Sequence, residues 1–366
     1  MTDCMIHFRS DGLGLTPAEY GSLLARLADN GALDADEFSL GGVVTQLEYR
    51  IAELLGKETA IFMPSGTLAN HLALRLLARR GRRVLVQHQS HLYCDTGDCT
   101  QELSGLTLVP LAVGQTSFTL DDVIGEVARE ADGRVHTPIG AISIESPVRR
   151  RQGEVFDSAE IERITGFARA RGIGLHLDGA RLFLAAPYTG ITPAVYAAPF
   201  DTVYVSLYKY FNAAGGAILA GPRDLLDGLY HQRRMFGGGL RQAWPYAAVA
   251  LHYLDGFAER FAEAAAMADQ LFRELAACPQ VTVLRSAAST NVTRLCVRGT
   301  AGAGLSERLA ARGILIRPPL TASAGTAEFE RAEFERAEFE LIVNETIRRR
   351  PVARTIADFT DALRSA

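Results

Sequence analysis

The sequence predicts an α/β protein with a large domain, built on a mostly parallel seven-stranded sheet flanked by helices, and a small C-terminal α+β domain. Short apolar runs rich in strand formers alternate with helical stripes until an alanine-rich stretch begins at Tyr246. A chain of 366 residues is long enough for two separate cores. We therefore expect an N-terminal segment at 1–20, a large domain at 21–245 and a small domain at 246–366.

The first half of the chain opens with a helix start, in which Thr16 is the N-cap, Pro17 lies in the first turn and Glu19 is at the third position. A glycine pair at 41–42 interrupts the chain before an amphipathic helix that ends at Gly56. The alternation that follows predicts a helical stripe at 68–77 and strands at 60–64, 84–86, 106–113 and 139–144.

The second half continues the alternation and then changes. We expect a helix at 158–171, strands at 173–177, 202–206 and 216–220, one long helix at 246–278, strands at 281–284, 293–297 and 314–316, and a helix at 305–312. Residues 327–341 repeat Ala-Glu-Phe-Glu with a spacing of five, which keeps the phenylalanines on one face of neither a helix nor a strand. We interpret the repeat as a tandem duplication that extends a loop, with its last copy entering a strand at 339–343.

Composition excludes several classes of function. A net charge of −4 argues against nucleic-acid binding, and the arginine runs at 79–83, 149–151 and 348–350 are typical of solvated helix ends and loops. We find neither an apolar run long enough for a membrane span nor a signal peptide, so no membrane partner is expected. The five cysteines lack metal-ligand spacing, so we predict no metal site and interpret them as reduced thiols of a cytoplasmic protein.

One lysine and one aspartate carry the chemical hypothesis. Lys209 follows the predicted strand 202–206, and Asp178 stands at the carboxyl end of the strand before it. A lysine that can form an imine and a carboxylate that keeps a pyridine nitrogen protonated are what pyridoxal phosphate requires. Taken alone, Lys209 is more often a surface side chain that reaches into solvent.

A phosphate site is suggested by Ser65, Gly66 and Thr67, which lie between a strand and the first turn of a helix. Free backbone N–H groups, the helix dipole and hydroxyls attract an anion there, although a plain N-cap turn explains the same residues equally well. Ser206 could add a hydroxyl. Arg241, in a glycine-rich loop, could reach a phosphate across a subunit interface.

Two further side chains are candidates for the reaction itself. His91 lies just after a strand, where it could stack on a flat heteroaromatic ring or move protons, although a loop histidine is the commoner explanation. Arg181 could face the cofactor or a substrate carboxylate, since arginine binds carboxylates in a bidentate manner. His176, two residues before Asp178 in the same strand, is interpreted as structural.

Taken in chain order, the motifs resemble the threonine aldolase and β-eliminating lyase family. This family belongs to the fold-type-I, aspartate aminotransferase-like, pyridoxal-phosphate enzymes. The resemblance runs from about residue 6 to about residue 300 and is looser afterwards. It rests on Phe8-Arg9-Ser10-Asp11, Pro64-Ser65-Gly66-Thr67, His176-Leu177-Asp178-Gly179-Ala180-Arg181, Lys209 and Gly237-Gly238-Gly239-Leu240-Arg241-Gln242.

The resemblance implies a role for each matching residue. Lys209 would form the Schiff base, Asp178 would pair with the pyridine nitrogen, and His91 would stack on the ring. Ser10 and Arg181 would meet the substrate carboxylate. The phosphate would be held by Ser65, Gly66 and Thr67, with Arg241 contributed by a neighbouring subunit. The family also implies a homodimer or homotetramer with shared active sites.

The chain departs from the family at two places. The family usually reads Ser-Leu-Ser-Lys-Gly around the lysine, whereas here Tyr208 and Tyr210 flank Lys209. The family's second carboxylate-binding arginine is replaced by Glu340, and Arg317 is the substitute that we consider.

The resulting expectation is retro-aldol cleavage of a β-hydroxy-α-amino acid, of threonine or allo-threonine type, to glycine and an aldehyde. Two alternatives stay open at this point. One keeps pyridoxal phosphate and performs β-elimination or an aldol-type condensation on another amino acid. The other is a non-catalytic regulator that binds the cofactor, which usually requires an added nucleic-acid-binding domain, and we see none before Ser10.

Overall fold

The computed structural model describes residues 5–31, 33–320 and 336–365, and the chain folds into two compact units. The larger unit comprises residues Leu15–Asp255. The smaller unit combines residues up to Gly14 with residues Gly256–Ala366. The sequence predicts domain boundaries after residues 20 and 245, whereas the chain passes from one unit to the other after Gly14 and after Asp255. The N-terminal strand is therefore grouped with the C-terminal residues and does not form a separate segment.

The strands are β1 Ile6–His7, β2 Thr59–Met63, β3 Arg83–Gln87, β4 Thr107–Leu111, β5 Ile139–Glu145, β6 Gly174–Asp178, β7 Thr202–Ser206, β8 Ala217–Gly221, β9 Val281–Leu284, β10 Val292–Arg298, β11 Ile314–Leu315 and β12 Arg336–Ile342. The helices are α1 Pro17–Asp29, α2 Gly42–Leu55, α3 Gly66–Leu77, α4 His91–Cys94, α5 Cys99–Ser104, α6 Leu120–Ala131, α7 Ser158–Arg169, α8 Ala186–Thr189, α9 Pro193–Ala197, α10 Arg223–Leu226, α11 Leu229–Met235, α12 Trp244–Leu254, α13 Phe257–Ala276, α14 Leu305–Ala310 and α15 Val352–Arg364.

The larger unit is built on a seven-stranded sheet in the order β2-β8-β7-β6-β5-β3-β4. Strands β7, β6, β5, β3 and β4 run parallel, and β8 is antiparallel to both β7 and β2. Every residue of β5, β7 and β8 is buried, as expected for a sheet with helices on both faces. The predicted mostly parallel seven-stranded sheet is confirmed.

The local signals in the sequence act as predicted at the start of α1. The Thr16 hydroxyl accepts the N–H of Glu19, and the Glu19 carboxylate accepts the N–H of Thr16, which satisfies two otherwise unpaired donors. Gly56 ends α2 in the left-handed conformation, with φ of 61°.

The smaller unit contains an antiparallel sheet in the order β12-β10-β9 and a parallel pair of β1 with β11. Asn344 ties the N-terminal strand to the C-terminal residues, because its side-chain amide donates to the carbonyl oxygens of His7 at 2.9 Å and Ser10 at 2.8 Å. The parallel β1–β11 pair explains why the first residues belong to this unit.

Two expectations about the C-terminal part need revision. The single helix predicted at 246–278 is wrong: α12 ends at Leu254, and α13 begins at Phe257 after Gly256, whose φ of 64° is left-handed. The repeat at 327–341 lies outside the described residues as far as residue 335, and the rest belongs to β12, which begins at Arg336 rather than at 339. Among the described residues, every helix is too short or too polar to cross a membrane.

Candidate active site

Four neighbouring parallel strands of the large sheet end in polar residues at the same edge. Strands β3, β5, β6 and β7 end in Gln87, Glu145, Asp178 and Ser206, and all four side chains are buried. In open α/β sheets, ligands bind outside the carboxyl ends of the strands. This edge is therefore the candidate active site, and Lys209 lies in the loop that continues from β7.

Lys209 is half-buried, and its amine is held by the preceding tyrosine. The Nζ donates to the Tyr208 hydroxyl at 3.0 Å and lies 4.4 Å from the centroid of the Tyr208 ring. The two tyrosines beside the lysine have different surroundings. Tyr208 is 47% exposed, whereas Tyr210 is 1% exposed and its ring packs against Phe211 and Phe183. Tyr210 is therefore part of the core, and only Tyr208 can shape the space around the amine.

Asp178 is held at the end of β6 by a buried chain of hydrogen bonds. Its Oδ2 accepts the Asn70 side-chain amide at 2.6 Å, and the Asn70 Oδ1 lies 2.9 Å from Nε2 of His176. The His176 Nδ1 in turn lies 2.8 Å from the Thr202 hydroxyl. Since Asn70 donates to Asp178, its oxygen faces His176, so Nε2 carries the proton and Thr202 donates to Nδ1. This chain orients the carboxylate, and it gives His176 the structural role expected from the sequence.

Burial keeps His176, the titratable imidazole in this series of hydrogen bonds, in its neutral form. Desolvation lowers the pKa of the His176 imidazole to about 4, and the nearby Asp178 carboxylate raises it by a smaller amount. A neutral His176 donates one proton and accepts one, as the chain requires. A hydrogen bond to a charged carboxylate contributes about 1.5–3 kcal/mol, so the Asn70 contact fixes Asp178 firmly.

The residues predicted to bind phosphate surround the N-terminus of α3. Ser65 is the N-cap, and its hydroxyl accepts the Leu68 N–H at 3.2 Å. Gly66 is required at this place, because a Cβ there would lie 2.0 Å from the Tyr204 hydroxyl. Thr67 lies in the first turn of α3 and is half-buried. The first turn of α3 therefore packs against the Tyr204 side chain of β7.

Ser206 adds a buried hydroxyl that lacks a partner among the described residues. Its Oγ makes no close hydrogen bond to a described residue, although it lies near enough to the Tyr204 hydroxyl to lower the pKa of that group. Burial is the larger effect and raises the pKa of Tyr204 well above its usual value. An unsatisfied buried hydroxyl beside a helix N-terminus is the environment that a bound anion would complete.

His91 and Arg181 both lie at the same edge of the sheet. The main-chain N–H of His91 donates to Oε2 of Glu145 at 2.6 Å, and the His91 ring is partly exposed. Arg181 is also half-buried, and its positive charge lowers the pKa of the Glu145 carboxyl, against the larger raising effects of burial and of Asp178. Asp178, His91 and Arg181 are thus all adjacent to one buried carboxyl group.

The remaining predicted residues have other partners. Arg241 is 65% exposed and forms an ion pair of 2.6 Å with Glu37 in the larger unit. Ser10 and Arg317 lie in the smaller unit, where the Ser10 hydroxyl donates to the Gly12 carbonyl at 3.4 Å. Arg317 pairs with Oε1 of Glu340 at 3.2 Å. Glu340, which replaces the family's second arginine, and Arg317, the substitute considered for that arginine, therefore form an ion pair with each other.

Comparisons with known proteins decide the family. The family model described as beta-eliminating lyase matches residues 28–297 of this chain. The chain belongs to the beta-eliminating lyase family. The predicted family is confirmed.

Individual relatives within the family are threonine aldolases. The low-specificity L-threonine aldolase of Escherichia coli is 31% identical over 85% of this chain and 90% of its own length. The low-specificity L-threonine aldolase of Candida albicans is 32% identical over 68% of this chain and 66% of its own length. The chain thus spans just under two thirds of the Candida protein.

A solved structure gives the same fold. A crystal structure from Listeria monocytogenes, named after L-allo-threonine aldolase, is 28% identical and has a TM-score of 0.81 over 100% of this chain and 98% of its own. The predicted fold class, a fold-type-I large domain with a smaller α+β unit, is confirmed.

Sequence reasoning overlooked three side chains at this site. Asn70 lies within the apolar stripe of α3, where no sequence signal marks it as a partner of Asp178. Glu145 does have a signal, because it is a carboxylate at the end of a predicted strand, the same argument that selected Asp178. Tyr204 was counted only as a strand former, yet its hydroxyl determines that residue 66 is glycine.

Proposed function

We propose that the protein is a pyridoxal-phosphate-dependent lyase that cleaves a β-hydroxy-α-amino acid, of threonine or allo-threonine type, to glycine and an aldehyde. The observation that carries the proposal is the pairing of strands β6 and β7, which places Asp178 and the Lys209 loop at neighbouring strand ends. The threonine aldolase relatives support the same reaction.

The residues at the edge of the sheet fit the cofactor. The Ser206 hydroxyl is buried without a partner among the described residues, beside the N-terminus of α3, and this suits a phosphate dianion. Ser65, Gly66 and Thr67 would bind the phosphate with it. Arg241 would contribute from a neighbouring subunit, since its side chain is exposed on its own.

The remaining contacts follow from the position of Asp178. Its carboxylate, fixed by Asn70, would accept the N–H of the protonated pyridine ring. Lys209 would form the covalent link to the cofactor. His91 would lie against the ring, and Arg181, with Ser10 and Arg317, would hold the substrate carboxylate.

When bound, pyridoxal phosphate supplies an electron sink for the pair of electrons released from the substrate Cα–Cβ bond. The chain's own residues then have three tasks. Asp178 keeps the pyridine nitrogen protonated. His91, directly or through a water that it positions, takes the proton from the β-hydroxyl group as that bond breaks. Tyr208 holds the Lys209 amine in place while the lysine is not bound to the cofactor.

We also propose that the protein is cytoplasmic and forms a homodimer or homotetramer with shared active sites. Arg241 supports sharing, because its side chain is exposed and pairs with the exposed Glu37 on the surface of its own subunit. Light scattering on the purified protein measures the assembly directly. A monomer that is fully active would contradict the shared site.

The reaction is tested by product analysis of the reconstituted protein with L-threonine and L-allo-threonine. The proposal expects glycine and acetaldehyde in equal amounts. Ammonia and a keto acid would instead identify β-elimination and contradict retro-aldol cleavage.

The cofactor link is tested separately with Lys209→Ala. This variant should lose the absorption band near the visible edge that the lysine-bound cofactor gives the wild type. Persistence of the band would show that another group forms the link.

A further inference from the structure

The buried carboxyl group of Glu145 has a place in the structure that the proposed mechanism leaves unused. Glu145 ends β5 and lies in register with Asp178 on β6. It is 4% exposed, so its carboxyl group cannot be stabilised by bulk solvent. A buried carboxyl group needs hydrogen-bond donors, and the donors that it has are informative.

Two main-chain amides donate to this carboxyl group. The His91 N–H donates to Oε2 at 2.6 Å, and the Arg149 N–H donates to Oε1 at 3.0 Å. One oxygen therefore anchors the loop after β3, and the other anchors the turn after β5. Main-chain N–H groups that converge on a carboxylate favour its ionised form.

A side chain extends the contact between the two strands. The backbone pairing of β3 with β5 ends at Leu85 and Ile142. Beyond that point the Gln87 amide replaces the backbone: its Nε2 donates to the Glu145 carbonyl at 2.7 Å, and its Oε1 accepts the Glu145 N–H at 2.9 Å. Glu145 is thus fixed through both its backbone and its side chain, so it can serve as a rigid support.

The segment that it supports cannot hold its shape alone. Helix α4 has four residues, His91–Cys94, and a helix of this length is not stable by its own hydrogen bonds. Ser90 caps it by accepting the Tyr93 N–H at 3.3 Å. The first N–H of the helix, that of His91, is directed to Glu145. The direction of the His91 Cα–Cβ bond therefore depends on this contact.

We infer that Glu145 is a positioning residue for His91. Glu145 fixes the main chain at the start of α4 and so sets the place of the His91 ring at the carboxyl edge of the sheet. The inference rests on the proposed function in assigning His91 to the reaction. The structural part of the inference, the hydrogen bond from the His91 N–H to Glu145, is independent of that function.

The charges around Glu145 are consistent with this role. Burial raises the pKa of the Glu145 carboxyl to about 7, with Asp178 as the next cause, while the two amides and Arg181 lower it. Arg150 and Cys94 also lie near enough to interact with its charge. With a pKa of about 7, the carboxyl group is mainly ionised above that pH, and in this form each oxygen accepts one main-chain N–H.

Glu145→Gln is the informative substitution because glutamine keeps the size and removes one acceptor. The side-chain NH2 must then face either the His91 or the Arg149 N–H, and that amide loses its partner. Glu154→Gln is the matched control, since Glu154 lies in the segment after β5, has a side chain that is 14% exposed and bonds the Thr116 hydroxyl.

The first measurement uses the protein without cofactor. Hydrogen exchange of the His91 amide should become at least about tenfold faster in Glu145→Gln and stay unchanged in Glu154→Gln. Unchanged protection of His91 in the Glu145 variant would overturn the inference, whatever reaction the protein catalyses.

The second measurement uses the reconstituted enzyme. Glu145→Gln should lower kcat by about 10- to 100-fold and change KM much less, because a misplaced His91 affects the chemical step more than substrate binding. The circular dichroism of the bound cofactor should also change. Faster exchange at His91 with unaltered kcat and dichroism would overturn positioning and leave a purely structural contact. Failure of the proposed function differs from both, because the wild type itself would then release no glycine.

Discussion

The buried His176 should make the free energy of unfolding fall in acid. Burial lowers the pKa of this imidazole to about 4, whereas the same group titrates near 6.5 in an unfolded chain. Between these values the unfolded state binds a proton that the folded state does not bind. The free energy of unfolding is therefore complete above about pH 6.5 and falls as the pH falls, by about 3 kcal/mol at pH 4.

The substitution that isolates this effect is His176→Gln, because glutamine can still donate to the Asn70 oxygen but has no titration. Other groups titrate in the same range: burial lowers the pKa of His71 to about 4 and raises those of Glu48 and Glu145 to about 7. These groups are present in both proteins, so their contributions cancel in the difference between wild type and variant.

Urea unfolding of both cofactor-free proteins at several pH values is the assay. The unfolding free energy of the wild type relative to the variant should fall by about 3 kcal/mol between about pH 7 and about pH 4. An NMR titration of the ring should show His176 still neutral at about pH 5. A difference that does not change with pH, or a ring that titrates near 6.5, would refute the buried neutral imidazole.

Three further substitutions test the site. Gly66→Ala should destabilise the cofactor-free protein by about 1–3 kcal/mol, because the new Cβ would lie 2.0 Å from the Tyr204 hydroxyl; Gly125→Ala, with open space around it, should not lower the melting temperature. Tyr208→Ser, which restores the family's usual residue, should change stability by less than about 0.5 kcal/mol but alter KM, as steady-state kinetics on several β-hydroxy amino acids would show. Arg317→Ala should cost about 1 kcal/mol, because the ion pair joins an Arg317 side chain that is 45% exposed to a Glu340 side chain that is 8% exposed; a KM that does not rise would remove this arginine from substrate binding.

Much of the fold and part of the site follow from sequence patterns. Strand propensity, the capping box at Thr16 and the glycine after α2 are local signals, and the structure has the elements that they predict. Asp178 and Lys209 could be chosen because parallel strands bring their carboxyl ends to one edge. The break at Gly256 was missed because the alanine-rich composition on both sides favours helix, whereas the left-handed φ of one glycine separates two helices.

The sequence by itself determined which chemical groups the protein has and which strand ends carry them, because period and propensity act over a few neighbouring residues. Only the tertiary structure decided what each group contacts. Tyr208 and Tyr210 look alike in the sequence, yet one is exposed at the lysine amine and the other is core. Asn70 bonds Asp178, and Glu145 bonds the His91 amide, because α3 and the strand ends meet only after the sheet has formed. Such contacts join residues far apart in the chain, and no local pattern encodes them.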